Sequence, residues 1–519
     1  MDRDQSRCAL YDLQGLLSLA YTEGCLAEST DRLFSAREDA RLEAPGLEAP
    51  AEGRGEIRRA LEVCRRRENA EEVRWACLFH TPSVAVDEQG TGAQVCWDCY
   101  AYRIDRKRRT GRLCTARFAA SCLQEAGEWR FHQVRWELMQ RFLPQTYADG
   151  QRPEHAAGPQ GAAPGEAHLD AADHLEVRNL CSLLTLRNWE RAEELFAPSA
   201  TLYAQGLTDC ELCGREEIGA FCAGIRRWEA EHAGRYRCLQ LLGPGCISAA
   251  GPGEARGVWL SETFEVRPDE AAGQTTLRRI CRVELRFGRE AQSWKIRTYR
   301  MRTLFELPLL SGASPLYQRM NRVPNWLPLN TQLRSCRPAP CFEAETLFAL
   351  WPASLRRGEL MNFLRRHMSG DGVTCRLSIR SRGPESPDLV GFDEIASKLQ
   401  GMDEIAMPDL PSYHCAAAPF LVSSDDGETV WASWMDHSLT NMSVALGASG
   451  EDGTVPYMIF VSRYDHVFRK IGGKWYLTEF GWEPGLGLPN WACDPAEEIG
   501  WDRERQGRKY PLPGVSAEE

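Results

Sequence analysis

Acid and imidazole side chains gather toward the end of this 519-residue chain. His414 begins a strand-like run, Asp436 and His437 follow Trp431, and Tyr464, Asp465 and His466 lie on the next long strand pattern. A carboxyl or imidazole in a dry pocket has its charged form disfavoured, which moves its pKa toward neutrality, where a general acid or base works best. His414, Asp436, Tyr464 and His466 are therefore the foremost catalytic candidates. Alternation along a strand puts Trp434 and Asp436 on one face and Trp431 and His437 on the other, so Asp436 and His437 cannot both face a pocket. A second constellation is Tyr21 on the first helical pattern with His80, Asp98 and His132, Asp98 sharing a face with Tyr100 and Tyr102. In the middle of the chain only Glu262 and Tyr299 compare.

Neither CxxC pair promises a metal site. Cys96-Trp97-Asp98-Cys99 reads as strand, where positions i and i+3 point to opposite faces. Cys210-Glu211-Leu212-Cys213 reads as loop, but no second CxxC or histidine pair follows it at zinc spacing. No metal and no cofactor are expected. The basic run Arg106-Lys107-Arg108-Arg109 reads as a solvated hairpin turn.

The elements that must position these groups come in threes. Gly53-Arg54-Gly55-Glu56-Ile57, Gly214-Arg215-Glu216-Glu217-Ile218 and Gly391-Phe392-Asp393-Glu394-Ile395 each open a helical pattern. Strand-like runs with a tryptophan follow at Trp97, Trp259 and Trp431, and hairpin-like endings at Trp129, Trp294 and Trp475. Helices followed by a meander of strands indicate an α+β architecture with helices on one face of a sheet. The expected map is 1–146 for the first unit, a Gly/Pro/Ala linker 147–171, 172–307, a Pro-rich strap 308–341, 342–483, and a tail 484–519.

Composition narrows the class. With 43% hydrophobic and 26% charged residues the chain can bury real cores, and with 62 Lys+Arg against 73 Asp+Glu it is not built to neutralise phosphates, so no nucleic-acid partner is expected. The charged start and the polar breaks within Leu10 to Tyr21 give neither a secretion signal nor a membrane span, and the twenty scattered cysteines read as reduced thiols of a cytoplasmic protein.

The segments Asn188 to Ala197, Gly214 to Ile218, Gly257-Val258-Trp259 and Ser293-Trp294-Lys295-Ile296 resemble the SnoaL-like branch of the nuclear transport factor 2-like superfamily, and 342–483 and 9–145 resemble it more loosely. The resemblance implies three tandem cone-shaped domains, each a curved antiparallel sheet wrapped around N-terminal helices with an apolar pocket at the wide end. Active members such as polyketide cyclases, ketosteroid isomerases and scytalone-type dehydratases use Asp, His or Tyr inside the cone, without a bound metal. His414, five residues before Pro419, stands where such proteins often carry a histidine ahead of the second strand, and the matching positions are read as Cys77 and Leu239. Two functions follow: a protein that binds a small apolar or aromatic molecule or serves as an assembly scaffold, and, as the alternative, a cofactor-independent lyase, isomerase or hydratase working in the third pocket. Cones of this kind bury a sheet face by pairing. Three copies then give an internal pair, with the third cone forming a homodimer or covered by the strap.

Overall fold

A computed structural model describes residues 2–67, 73–105, 107–108, 110–142, 145–146, 168–185, 192–232, 236–269, 273–291, 293–309, 337–356, 360–379, 388–405, 413–441 and 455–493. The expected linker, strap and tail fall largely outside these residues. Among the described residues no helix is long and apolar enough to cross a membrane.

The three sheets share one topology. Each unit begins with a long helix (Arg3–Thr22, Ala171–Thr185, Pro338–Arg356) and ends in a meander of long antiparallel strands, whose last member pairs in parallel with a short early strand. The last strand of the third sheet runs on to Cys493, past the expected boundary at 483.

The Gly-x-x-Glu-Ile landmark has a physical reason in all three copies. Gly53, Gly214 and Gly391 take φ of +77°, +87° and +95°, a region that a Cβ disfavours. Each glycine N–H donates to an earlier backbone carbonyl, on Ala40, Ala200 and Cys375, at 2.7–2.9 Å. Each glycine carbonyl accepts from the isoleucine amide four residues on, and Ile57, Ile218 and Ile395 are buried. The Glu217 and Glu394 carboxylates reach back to the amides of Cys213 and Val390 at 2.7 and 3.0 Å, satisfying donors at the helix start.

Register aligns the units residue by residue. Gln124, Arg289 and Lys470 face the hairpin tryptophans Trp129, Trp294 and Trp475, and one residue earlier Leu123, Gly288 and Arg469 face Gly92, Glu254 and Thr429. An equal step along that strand brings Trp97, Trp259 and Trp434, each buried in the core of its own unit. The expected landmark Trp431 is not the third equivalent. It lies on the opposite face, in a core that all three units share.

That shared core replaces the expected pair with a spare cone. Leu78, Tyr100 and Tyr102 of the first unit, Leu239, Leu260 and Phe264 of the second, and Trp431, Met435 and Val461 of the third belong to one buried cluster. The long helices close a ring: each packs on its own sheet and on the next unit's, Arg3–Thr22 against Arg237–Gly251, Ala171–Thr185 against Phe420–Ser423, and Pro338–Arg356 against Ser83–Val86. Asp12 accepts from the Ile247 amide at 2.7 Å, and Asn179 exchanges two bonds with the Leu421 backbone at 2.7 and 2.9 Å. Where the helices meet, Tyr11, Arg178 and Glu345 converge, spaced evenly along the chain. Arg178 pairs with Glu345 at 3.2 Å and lies 4.6 Å over the Tyr11 ring. The units are thus arranged like the subunits of a trimer inside one chain.

Candidate functional site

The strand Thr429–Asn441 has two faces with different neighbours. Trp431, Met435 and Leu439 point to the shared core, and His437 lies among Tyr100, Phe264 and Glu262. Trp434 points into the cone of the third unit, and alternation carries Asp436 to the same side. There His414, on the neighbouring strand Tyr413–Ala416, brings Nδ1 to 2.8 Å from Asp436 Oδ2. Asp436 is 2% exposed, its Oδ1 has no partner among the described residues, and none of them bonds to His414 Nε2. With Asp436 accepting from Nδ1–H, the tautomer is fixed and the Nε2 lone pair is left to take a proton.

Tyr464 and His466 share this interior. Tyr464 stacks on Trp434, with centroids 5.8 Å apart, and burial together with the Asp436 charge holds its hydroxyl well above the usual tyrosine range, so it stays protonated. His466 sits edge-on to Trp434 at 4.3 Å and against Phe480 at 4.6 Å. Burial pushes its pKa far down, and neither ring nitrogen has a partner among the described residues. Such an orphan costs about 1–3 kcal/mol.

The register shows what the other units hold at the dyad positions. His414 faces Ser438, Cys77 faces Ala101 and Gln240 faces Thr263, so the second-unit equivalent of His414 is Gln240, one residue from the Leu239 expected. Asp436 corresponds to Cys99 and Ser261. The replacements remain neighbours: Gln240 Nε2 donates to Ser261 Oγ at 3.1 Å, and Cys77 and Cys99 lie together as free, buried thiols. Burial, then Cys99, raises Cys77 well above the ordinary thiol range, and burial pushes neighbouring Cys114 to about 11. A thiol pair and an amide–hydroxyl pair therefore stand where the third unit has an imidazole and a carboxylate. The irregular register between Leu242 and Gly245 hides Gln240 from any count along the sequence.

The first-unit candidates are not brought together. Tyr21 packs between Trp75 and Trp136, with centroids at 6.3 and 4.7 Å. His80 accepts the Ala416 amide of the third unit at 3.1 Å. Asp98 pairs with Arg117 at 3.1 Å on the face of Tyr100 and Tyr102, which is the inter-unit face, and His132 lies 3.5 Å from the exposed Asp39. In the second unit Glu262 also faces outward, to Arg278, Tyr102 and His437. Tyr299 faces inward, onto a cavity of about 30 Å³ lined by Phe196, Leu202, Phe221, Ile225 and Gln240. Its hydroxyl meets Gln240 at 3.0–3.1 Å.

The sequence matches the model of the SnoaL-like domain over residues 8–135 and again over 170–300. The chain belongs to the SnoaL-like family. Its third unit has the same sheet order as the two matched SnoaL-like units. No curated protein matches the chain. Among solved structures, an NTF2-like protein with a cystatin-like fold from Novosphingobium aromaticivorans is 21% identical, covering 25% of this chain and 82% of its own, with a TM-score of 0.21. Hexachlorocyclohexane dehydrochlorinase LinA-type3 from Novosphingobium barchaimii is 15% identical over 28% of this chain and 95% of its own, with a TM-score of 0.23. ActVI-ORFA from Streptomyces coelicolor is 14% identical over 23% of this chain and 86% of its own, with a TM-score of 0.20.

Proposed function

We propose that the third SnoaL-like unit performs acid–base chemistry of the lyase, isomerase or hydratase kind on a small, largely apolar molecule. The observation that carries this reading is the buried His414–Asp436 pair at 2.8 Å, with Nε2 left for substrate. In this mechanism Asp436 holds the ring through Nδ1, and Nε2 removes a proton from carbon beside an electron-withdrawing group. Asp436 stabilises the imidazolium that results. Tyr464, kept un-ionised, donates a hydrogen bond to the oxygen on which charge develops, and that oxygen or the leaving group later receives the proton from Nε2. The aromatic walls of Phe348, Trp434 and Phe480 favour a flat apolar substrate, and the bare nitrogens of His466 supply one polar contact. The test is a turnover and deuterium-exchange screen of hydroaromatic and β-hydroxycarbonyl compounds. His414→Ala should lower any activity found by about 10²- to 10⁴-fold while circular dichroism shows the fold kept, although the melting temperature falls because Asp436 loses its partner. Turnover that survives this change would overturn the reading.

The second unit supports a separate binding role. Its cavity holds an amide and a phenol but neither base nor acid, and about 30 Å³ is room for one or two water-sized groups. Only a small apolar group enters without rearrangement. Thermal shifts with small phenols and ketones, lost in Tyr299→Phe, test this role.

A further inference from the structure

The strand that carries His414 is held from outside its own unit. Tyr100 of the first unit places its hydroxyl 3.0 Å from the Tyr413 carbonyl and 3.0 Å from the His437 carbonyl. Tyr413 precedes His414, and His437 follows Asp436, so one buried phenol bridges the two strands beside both members of the pair. His80 Nδ1 accepts the Ala416 amide at 3.1 Å, and Thr81 gives its amide to the Ala416 carbonyl at 3.3 Å and its hydroxyl to the Ala417 carbonyl at 3.2 Å. Residues 413–417 therefore have backbone partners in the first unit on both sides of His414.

We propose that Tyr100 and His80 of the first unit are positioning residues for the third-unit pair, so that a unit with thiols at its own dyad positions completes its neighbour's site. They act by fixing the backbone from which His414 and Asp436 project. A hydrogen-bonded pair tolerates displacements of only a few tenths of an ångström before it weakens. This inference rests on reading His414 and Asp436 as the acid–base pair, but its test does not need a substrate.

The experiment is nitrogen-15 NMR of the full chain labelled in the histidine rings, with amide exchange read by mass spectrometry. The wild type should show a downfield Nδ1–H proton that disappears in both His414→Gln and Asp436→Asn. Tyr100→Phe should lose or broaden that proton and mix the His414 tautomers. His80→Leu should speed exchange in the peptide containing Ala416 by about fivefold or more, the factor matching one ordinary hydrogen bond, and His80→Gln, which keeps an acceptor, should restore it. If Tyr100→Phe is too unstable to study, the two His80 variants carry the test alone. An unchanged His414 proton in Tyr100→Phe or in His80→Leu overturns the proposal even if the melting temperature falls or exchange at Ala416 rises, because a merely structural contact would do only that. Failure of the acid–base reading shows differently, as turnover indifferent to His414→Ala with the His414 proton still sensitive to Tyr100.

Discussion

At the scale of residues, the third unit concentrates what the other two lack. Asp436→Asn keeps the shape of the side chain but removes the charge that holds the ring and stabilises its protonated form. Any turnover should fall by a factor like that for His414→Ala, with KM little changed, and steady-state kinetics of the two variants checks this. The buried histidines also set how stability follows pH. Burial holds His437 and His466 well below the ordinary histidine value, and burial with Lys474 and Arg366 takes His367 down to about 4. The unfolded chain then binds protons that the folded chain refuses. Their contribution is complete above about pH 6.5 and is lost as pH falls below it. His174 works in the other direction: burial opposes its charge, but Cys8 and Asp12 lift it to about 10, so its contribution is lost as pH rises from about 6.5 through 10. Melting temperature against pH should therefore fall on both flanks, and His466→Phe should flatten the acid flank alone. The group His414, Asp436, Tyr464 and His466 was legible from residue type and strand pattern, though not which of them would meet His414. Nor was the partner Tyr100, because nothing local in Tyr100-Ala101-Tyr102 says that this face meets another unit.

Among the elements, glycines make the closest approaches. A Cβ on Gly15 would stand 2.3 Å from the Gly245 carbonyl of the next unit, and one on Gly245 would stand 2.1 Å from the Trp259 indole, so helix, strand and ring are stacked without room for a methyl group. Gly15→Val should cost at least about 1–3 kcal/mol, read as a lower denaturation midpoint. At Gly214, with φ of +87° and ψ of +150°, a Cβ would make only an ordinary contact with the Pro198 carbonyl at 3.6 Å, and Gly214→Ala should cost about 1–3 kcal/mol through backbone strain alone. The Gly-x-x-Glu-Ile landmark could be read in sequence because its cause is local: a glycine at positive φ, one buried isoleucine and, in the second and third copies, a carboxylate reaching back to the helix start. The tryptophan landmark slipped in the third copy because Trp431 and Trp434 both lie on one strand. Two apolar faces give a strand no alternation by which to choose between them, and only the pairing to Trp475 fixes the count.

For the whole molecule, the inter-unit core decides behaviour. Leu239, Phe264, Trp431 and Met435 are buried by neighbouring units, so a fragment of residues 168–309 should expose its share of that surface, bind a hydrophobic dye and aggregate. The full chain should unfold in one calorimetric transition, because the ring of helices ties each unit to the next, and it should scatter light as a 58.5 kDa monomer, since the sheet faces that could pair are already covered. Two separated transitions or a dimer would contradict this packing. Arg178→Ala leaves Glu345 buried without its cation and should cost about 3–5 kcal/mol, whereas replacing Arg178 and Glu345 together with Met and Leu should cost far less. Three-way packing was not legible in the sequence, because apolar outward faces satisfy a pair and a ring equally well. The ring has one more consequence. In an assembly of three identical chains every substitution is made three times, so a residue that ruins the site ruins all of them, and one that improves a contact must suit both sides of each joint. Covalent linkage lifts that constraint: the equivalent positions can hold a different pair in each unit, His414 with Asp436 in one, Gln240 with Ser261 and Cys77 beside Cys99 in the others, and each joint can have its own chemistry, a tyrosine, an arginine and a glutamate at Tyr11, Arg178 and Glu345 where a symmetric assembly would have to repeat a single residue against itself.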